Sequence, residues 1–319
     1  MIVTFKSIDK EKWDNLIIKA QHSNLTQDWN YGHYKSKISS FDVKRISIKI
    51  NNKLIAIFQV FYKTIPFLPF FKFYYINRGP VFLENIDDSI MEIVFNQISK
   101  RYSLLKFKIL YINPYLQNKI ENQNILKSSG LLRMSKKKYN TIHINLKSEL
   151  DQLRSNLNSK WRNQLVKAEK NQVKIIIDTE LKYKSFIIDK NNMMMKTKNY
   201  KGIDSDSLNY LFDQFHNDNK VFNFIALSPE NNKPIAYTVF LCFSNIAVYF
   251  LGWVDLDGRK FNPSNLLLWS AVSHFKNFNY KLIDLGGIDE KETPGITKFK
   301  RGLNGDELSF LEGYLNFRL

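Results

Sequence analysis

Apolar positions along this chain follow two rhythms, and each change of rhythm marks an element. Ile46-Ser-Ile-Lys-Ile50 and Leu54-Ile-Ala-Ile-Phe-Gln-Val-Phe-Tyr62 read as strands around an Asn51-Asn52-Lys53 turn. Residues 74–76 end another strand before Asn77-Arg-Gly-Pro80, and 104–112 are strand-like up to Asn113-Pro114. Helical spacing governs 11–20, with Trp13, Leu16 and Ile17 on one face, then 90–102, then 116–129, which closes on Gly130. The theme then returns. A strand at 139–146 is followed by a long basic helix, 148–171, a strand at 173–177, and helices at 183–197 and 205–216. A strand at 221–227 and a hairpin of 234–243 with 246–253 across Ser244-Asn245 precede a helix at 264–278 and a strand at 282–285. The repetition lies in element order, not in residue identity. It predicts an α/β (α+β) chain of two domains, 1–136 and 137–319, each a mixed sheet flanked by helices.

Composition narrows the partners. The 319 residues are 44% hydrophobic and 14% aromatic, enough for two packed cores. The formal net charge of +17 favours nucleic acid, phosphorylated substrates or an anionic membrane surface. Richness in Lys, Asn and Ile discounts that charge, since A/T-rich coding produces the same bias. The single cysteine, Cys242, sits in an apolar run and reads as a small core residue, which excludes an internal disulfide. The first ten residues carry no signal-peptide hydrophobic region, and no run of 18 apolar residues exists. The expected location is the cytoplasm, with possible peripheral contact at the inner membrane face. That contact rests on 65–76, an aromatic segment interrupted by Pro66, Pro69 and Lys72. Its plainer reading is a hairpin between core strands; its functional reading is a loop dipping into the membrane interface.

Several enzyme classes lose support. There is no His-Glu-x-x-His or Cys-x-x-Cys spacing, no Gly-x-Gly-x-x-Gly after a strand, no P-loop and no Gly-x-Ser-x-Gly elbow. The simple acetyltransferase acyl-CoA loop is absent too, and neither a metal nor a resident cofactor is expected. What stands out is Tyr280-Lys-Leu-Ile-Asp-Leu-Gly-Gly-Ile288, followed by Pro294-Gly-Ile-Thr-Lys-Phe-Lys-Arg-Gly302. It reads as a strand ending in Asp284 and a Gly-Gly pair, then a flexible Gly/Pro loop bringing Lys300 and Arg301 to a developing anion or a phosphate. The competing reading is a strand, a turn and a solvated basic loop. Gln27-Asp-Trp-Asn-Tyr-Gly-His-Tyr-Lys35 reads as a helix start with Trp29 as a core anchor and Lys35 free for a phosphate. Lys160, Asn163, Lys167 and Lys170 lie near one face of the basic helix, with Arg162 adjacent and Glu169 the one acid. Such a face is either solvated or turned toward a polyanion.

Taken together these stretches resemble the FemABX family, peptidyltransferase-type enzymes that add amino acids to peptidoglycan precursors. The matching segments are Gln27 to Lys35, Asn77-Arg-Gly-Pro-Val81, Trp161 to Lys170, Asn262-Pro-Ser-Asn-Leu-Leu-Leu-Trp269, Ile283-Asp-Leu-Gly-Gly-Ile288 and Gly295 to Gly302, in family order over nearly the whole chain. The resemblance implies two tandem acetyltransferase-like (GNAT-like) domains without a coiled-coil arm. It implies that Lys35 contacts the acceptor's phosphates and that Lys196, with Tyr200 one helical turn later, serves the same acceptor. Phe299 and Lys300 would meet the reacting carbonyl, the lysine stabilising the oxyanion with backbone donors at Gly286 and Gly287. Asn113 stands where the family has an aspartate, and an amide orients an amine but takes no proton from it. The implied donor is an aminoacyl-tRNA, held by Lys160, Arg162, Lys167 and Lys170, and the acceptor a phosphorylated or lipid-linked cell-envelope precursor. Two alternatives stay open: an acyl-CoA donor acting on a surface sugar, and a non-catalytic member binding tRNA or anionic lipid.

Overall fold

The computed structural model describes residues 1–20, 23–135 and 137–318. The chain divides into two compact units, 1–139 with 309–319, and 140–308. The expected boundary at 136 lies outside the described residues.

In the first unit, β1 (Val3–Ser7) leads to helices α1 (Lys10–Ile17) and α2 (Trp29–Ser39). The antiparallel strands β2 (Asp42–Ile50), β3 (Lys53–Ile65) and β4 (Leu68–Asn77) follow, then the two-residue β5 (Val81–Phe82). Helix α3 (Asp88–Arg101), β6 (Lys108–Asn113), α4 (Ile120–Ser128) and β7 (Leu131–Arg133) complete the run. The unbroken apolar stretch of β3 has a plain cause: both its faces are covered. Phe58 and Val60 pack with Val94, Phe95 and Ile98 of α3, while Ile57 packs with Trp13 and Ile17 of α1. Aspartates cap three helices, Asp9 accepting from Lys12 N, Asp28 from Asn30 N and Asp87 from Ile90 N. After α3 the chain returns parallel to β4, and β6 pairs with it from Lys72↔Lys108 to Asn77↔Asn113.

The second unit repeats that plan. It contains β8 (Tyr139–Asn145), α5 (Leu150–Ser155), α6 (Ser159–Lys170), β9 (Lys174–Asp178), α7 (Lys184–Lys198) and α8 (Ser205–His216). The meander β10 (Val221–Leu227), β11 (Pro234–Phe243), β12 (Ile246–Val254) precedes α9 (Pro263–Asn277) and β13 (Leu282–Ile288). Helix α10 (Pro294–Arg301) and β14 (Asp306–Phe310) follow. Here β13 runs parallel to β12, but only from Ile246↔Leu282 to Val248↔Asp284. Three antiparallel strands, a helix and a strand parallel to the third thus occur in both units. The strand order is β14-β8-β13-β12-β11-β10-β9, and α6 and α9 cover one face through Trp161, Leu165, Leu268 and Phe275. The last strand, β15 (Tyr314–Asn316), pairs with β6 and β7 of the first unit.

Three expectations are corrected. The second domain does not run unbroken to 319, because β15 supplies hydrogen bonds that β6 and β7 would otherwise lack. The long basic helix is two helices, because Leu157 turns into the core and the Asn158 side chain accepts from Lys160 N to start a new one. The expected flexible loop at 294–301 is α10, which Pro294 opens at a first-turn position where its missing N–H costs nothing. Among the described residues no helix is long and apolar enough to cross a membrane.

Candidate active site

In the second unit the chemistry gathers around the end of β13. Asp284, 3% exposed, lies against the Thr141 hydroxyl and accepts from Gly286 N at 2.8 Å. His143 Nε2 stands 3.6 Å from Asp284 Oδ2, an ion-pair distance and not a hydrogen bond. Burial pushes the Asp284 carboxyl up, but His143, Thr141 and the Gly286 N–H pull harder, and it rests below the usual carboxylate range. Gly286 has φ +71, and a Cβ there would meet Tyr249 O at 2.9 Å, so both conformation and space require glycine.

Helix α10 aims Lys300 into this place. Its side chain is 6% exposed, and Nζ donates to Gly287 O at 2.9 Å. Nζ also lies 5.2 Å from the centre of the Tyr249 ring, and burial pushes the Tyr249 phenol up to about 12. Burial pushes the Lys300 ammonium down to about 8, with Asp284 the charge opposing the fall. A buried ammonium beside one carboxylate is a fixed positive charge in a poorly solvated place, which is what a developing oxyanion needs. Phe299 turns the other way and packs on Trp161 at 6.0 Å. Gly302 makes that packing possible, since a Cβ there would fall 2.3 Å from Trp161 Cδ1. Arg301 is held by Glu307 and Glu290, so it does not accompany Lys300 inward.

Other expected residues fall elsewhere. Gly286 N–H is committed to Asp284, so it is not an oxyanion donor, and Gly287 contributes its carbonyl to Lys300. Lys196 is exposed near the end of α7, which stops at Lys198 with Asn199 in the left-handed conformation. Tyr200 therefore lies beyond the helix and not on its next turn; its N–H bonds back to Met195 O at 3.2 Å. On α6, Lys160, Lys167 and Lys170 are exposed, while Arg162 donates to Ser155 O at 3.1 Å. Glu169 is engaged by both Nη atoms of Arg154.

The first unit builds a second polar cluster. Lys35 is half-buried on α2, whose start is capped by Asp28, with Trp29, the expected anchor, packing edge-on to Trp13. Asn113 ends β6. Its Oδ1 accepts from Gly313 N at 2.8 Å and its Nδ2 donates to Tyr75 OH at 3.0 Å, leaving one amide N–H. Arg78, which follows β4 with φ +57, forms a short ion pair with Glu312 and lies 4.4 Å from the centre of the Tyr139 ring. Glu312 also acts on the Tyr111 phenol, which burial pushes up. Glu312 is thus the carboxylate of this cluster. No local pattern marks it, because it reaches Arg78 across 234 residues of sequence. Thr141 and His143 left a faint trace as alternate polar positions between Ile142 and Ile144 on one strand. Among the described residues no group of three or more His, Cys, Asp or Glu could hold a metal ion.

Comparison with known proteins gives a consistent picture. The sequence profile of the FemAB family matches residues 8–138 and 216–308. The chain is similar to aminoacyltransferase FemA of Staphylococcus aureus, 22% identical over 98% of this chain and 94% of that protein. In fold it is similar to the crystal structure of FemX, with a TM-score of 0.83 at 13% identity, covering 98% of this chain and 97% of the other. A tandem GNAT protein from the clavulanic acid biosynthesis pathway matches with a TM-score of 0.56 at 8% identity, over 98% of both chains.

Proposed function

The chain belongs to the FemAB family and is an acyltransferase, and on that premise we propose that it moves an aminoacyl group from aminoacyl-tRNA to an amine of a phosphorylated or lipid-linked cell-envelope precursor. The observation that carries the reading is Lys300, an ammonium buried at the end of α10 and held beside Asp284. The neutral amine attacks the ester carbonyl, a tetrahedral oxyanion forms and is stabilised by Lys300, and it collapses to the amide as the tRNA oxygen leaves as a hydroxyl with the proton that the amine gives up. No covalent enzyme intermediate is needed, and Cys242 is unsuited to one: it is buried, with its thiol pushed up to about 12. Lys196, exposed on α7 of the unit that carries Lys300, is the cation proposed for the acceptor's phosphates.

The test is transfer by the purified protein from mixed charged tRNAs, or from acyl-CoAs, to cell-envelope precursors, read by mass shift. Ribonuclease-sensitive transfer from charged tRNA supports the reading; ribonuclease-resistant transfer that needs an acyl-CoA overturns it. The exposed lysines of α6 provide a second check. Lys160→Glu with Lys167→Glu is expected to weaken tRNA binding, and the slope of log affinity against log salt falls by about one unit for each phosphate no longer neutralised. An unchanged slope removes α6 from the tRNA interface.

In the first unit Glu312, ion-paired with Arg78, offers a carboxylate to a protonated amine of the acceptor. Glu312→Gln is expected to raise the acceptor KM about tenfold, the loss of one charge-assisted hydrogen bond, and to leave the donor KM unchanged. Glu312→Asp restores most of it. The same loss with an acceptor analogue lacking the amine refutes the assignment.

A further inference from the structure

The turn between β3 and β4 carries side chains that contribute little to the fold. Pro66 and Phe67 close the hairpin between Ile65 and Leu68, which pair with each other. Phe67 has φ +65, the conformation in which a turn after proline favours glycine. Its side chain is 101% exposed and that of Phe70 is 80% exposed. A phenylalanine in a strained turn position with no buried surface has no role in folding that would place it there.

The tertiary structure enlarges this tip. Leu104–Lys106 form a short helical turn, and the carbonyl of Phe107, which follows it, accepts from Lys72 N at 3.0 Å. The Phe107 ring meets Phe71 edge-on at 5.3 Å, and Leu105 and Phe107 are themselves exposed. The Phe71–Phe107 contact thus brings the exposed Leu105 and Phe107 alongside β4, next to the turn that carries Phe67 and Phe70 in sequence.

Cations lie on the same strands and on the adjoining turn. Lys63 and Lys106 are exposed, and Lys72 and Lys108 pair across β4 and β6. Burial first, and then Arg101, Lys106, Lys44 and Lys72, hold the Lys108 ammonium below its ordinary value, which reports how closely these charges crowd. Of the charged groups acting on Lys108 and on the neighbouring Tyr62 phenol, Asp42 is the acid and the rest are cations. Two of the ammonium groups sit over aromatic rings, Lys63 Nζ over Phe41 at 4.6 Å and Lys44 Nζ over Tyr62 at 4.7 Å.

We propose that the β3–β4 tip, with Phe67 and Phe70 and the adjoining Leu105 and Phe107, is a docking surface for an anionic lipid bilayer. The aromatic rings enter the headgroup and acyl boundary, and the lysines of the adjoining strands and turn meet the lipid phosphates. A protein partner would be expected to match these cations with a carboxylate-rich rim around an apolar pocket. A bilayer supplies the same pairing over any area without a specific shape, and it suits an exposed, projecting ring such as Phe67. Docking there would hold the enzyme at the surface on which a lipid-linked acceptor lies, but binding is measurable without turnover.

The experiment is co-sedimentation of the full chain with vesicles of phosphatidylcholine alone and of equal phosphatidylcholine and phosphatidylglycerol. The wild-type protein is expected to partition onto the anionic vesicles, weakly onto the neutral ones, and less as salt rises. Phe67→Ser with Phe70→Ser is expected to lower the partition coefficient about tenfold or more, with an unchanged melting temperature because both side chains are exposed. Lys63→Glu with Lys106→Glu is expected to abolish the preference for anionic lipid and leave the weak neutral binding. The proposal fails if the wild type binds neither vesicle, or if the serine pair binds anionic vesicles as well as the wild type does. It also fails if the serine pair abolishes self-association or capture of a protein while vesicle binding is absent.

Discussion

Lys300→Ala is expected to lower turnover about a hundredfold, the size seen when one oxyanion stabiliser is removed. The fold should survive, because the substitution removes an ammonium that burial penalises, leaving Gly287 O without its donor and Asp284 with its Thr141 and Gly286 partners. Lys300→Met keeps the volume and should be equally impaired, which separates loss of charge from loss of packing. The charge also sets a pH profile. The ammonium titrates near 8 in the folded chain against an ordinary value of 10.5, so turnover should fall as pH rises through about 8. Stability moves the opposite way. Between about 8 and 10.5 the unfolded chain keeps a proton that the folded chain has released, so this group's contribution to stability rises with pH across that window. Near-normal turnover of Lys300→Met, or a flat rate from neutral pH to well above 8, would remove Lys300 from the chemistry.

Asp284 governs the same group from behind. Asp284→Ala leaves the Thr141 hydroxyl and the Gly286 N–H without their buried acceptor, and His143 Nε2 without the carboxylate oxygen 3.6 Å away. A loss of about 3 kcal/mol in a urea titration is expected, the scale for breaking a buried hydrogen-bonded charge. Asp284→Asn is the sharper probe. The amide oxygen can still accept from Gly286 N, so stability should suffer less, but the negative charge that holds the Lys300 ammonium up is gone. The alkaline limb of the rate profile should therefore move below about 8, with turnover at its acidic plateau largely retained. An unmoved limb would mean that Asp284 holds β13 in shape and does not tune Lys300.

The residues themselves carried much of this. Strands 221–227 and 234–243 appear with the bounds that their apolar runs predict, because in a strand covered on both faces local propensity and burial demand the same residues. The repeated order of three strands, helix and strand was legible for the same reason, and Trp29 could be recognised as an anchor. Reading failed where one distant contact outweighs local preference. The stretch 148–171 has continuous helical character, yet burying Leu157 breaks it at Asn156 to Asn158. The stretch 294–301 looks like a loop by its Pro and Gly, yet Thr297 and Lys300 turn into the core and wind it into α10. Lys300 and Asp284 could be nominated from sequence; the burial that lowers one ammonium and the partners that satisfy one carboxylate could not. Glu312 carried no local mark at all, because its meaning depends on β15 returning to pair with β6. Periodicity and propensity are properties of neighbours along the chain, and they determined the elements. Charge placement depends on desolvation and on partners more than a hundred residues away, and only the packed fold sets those.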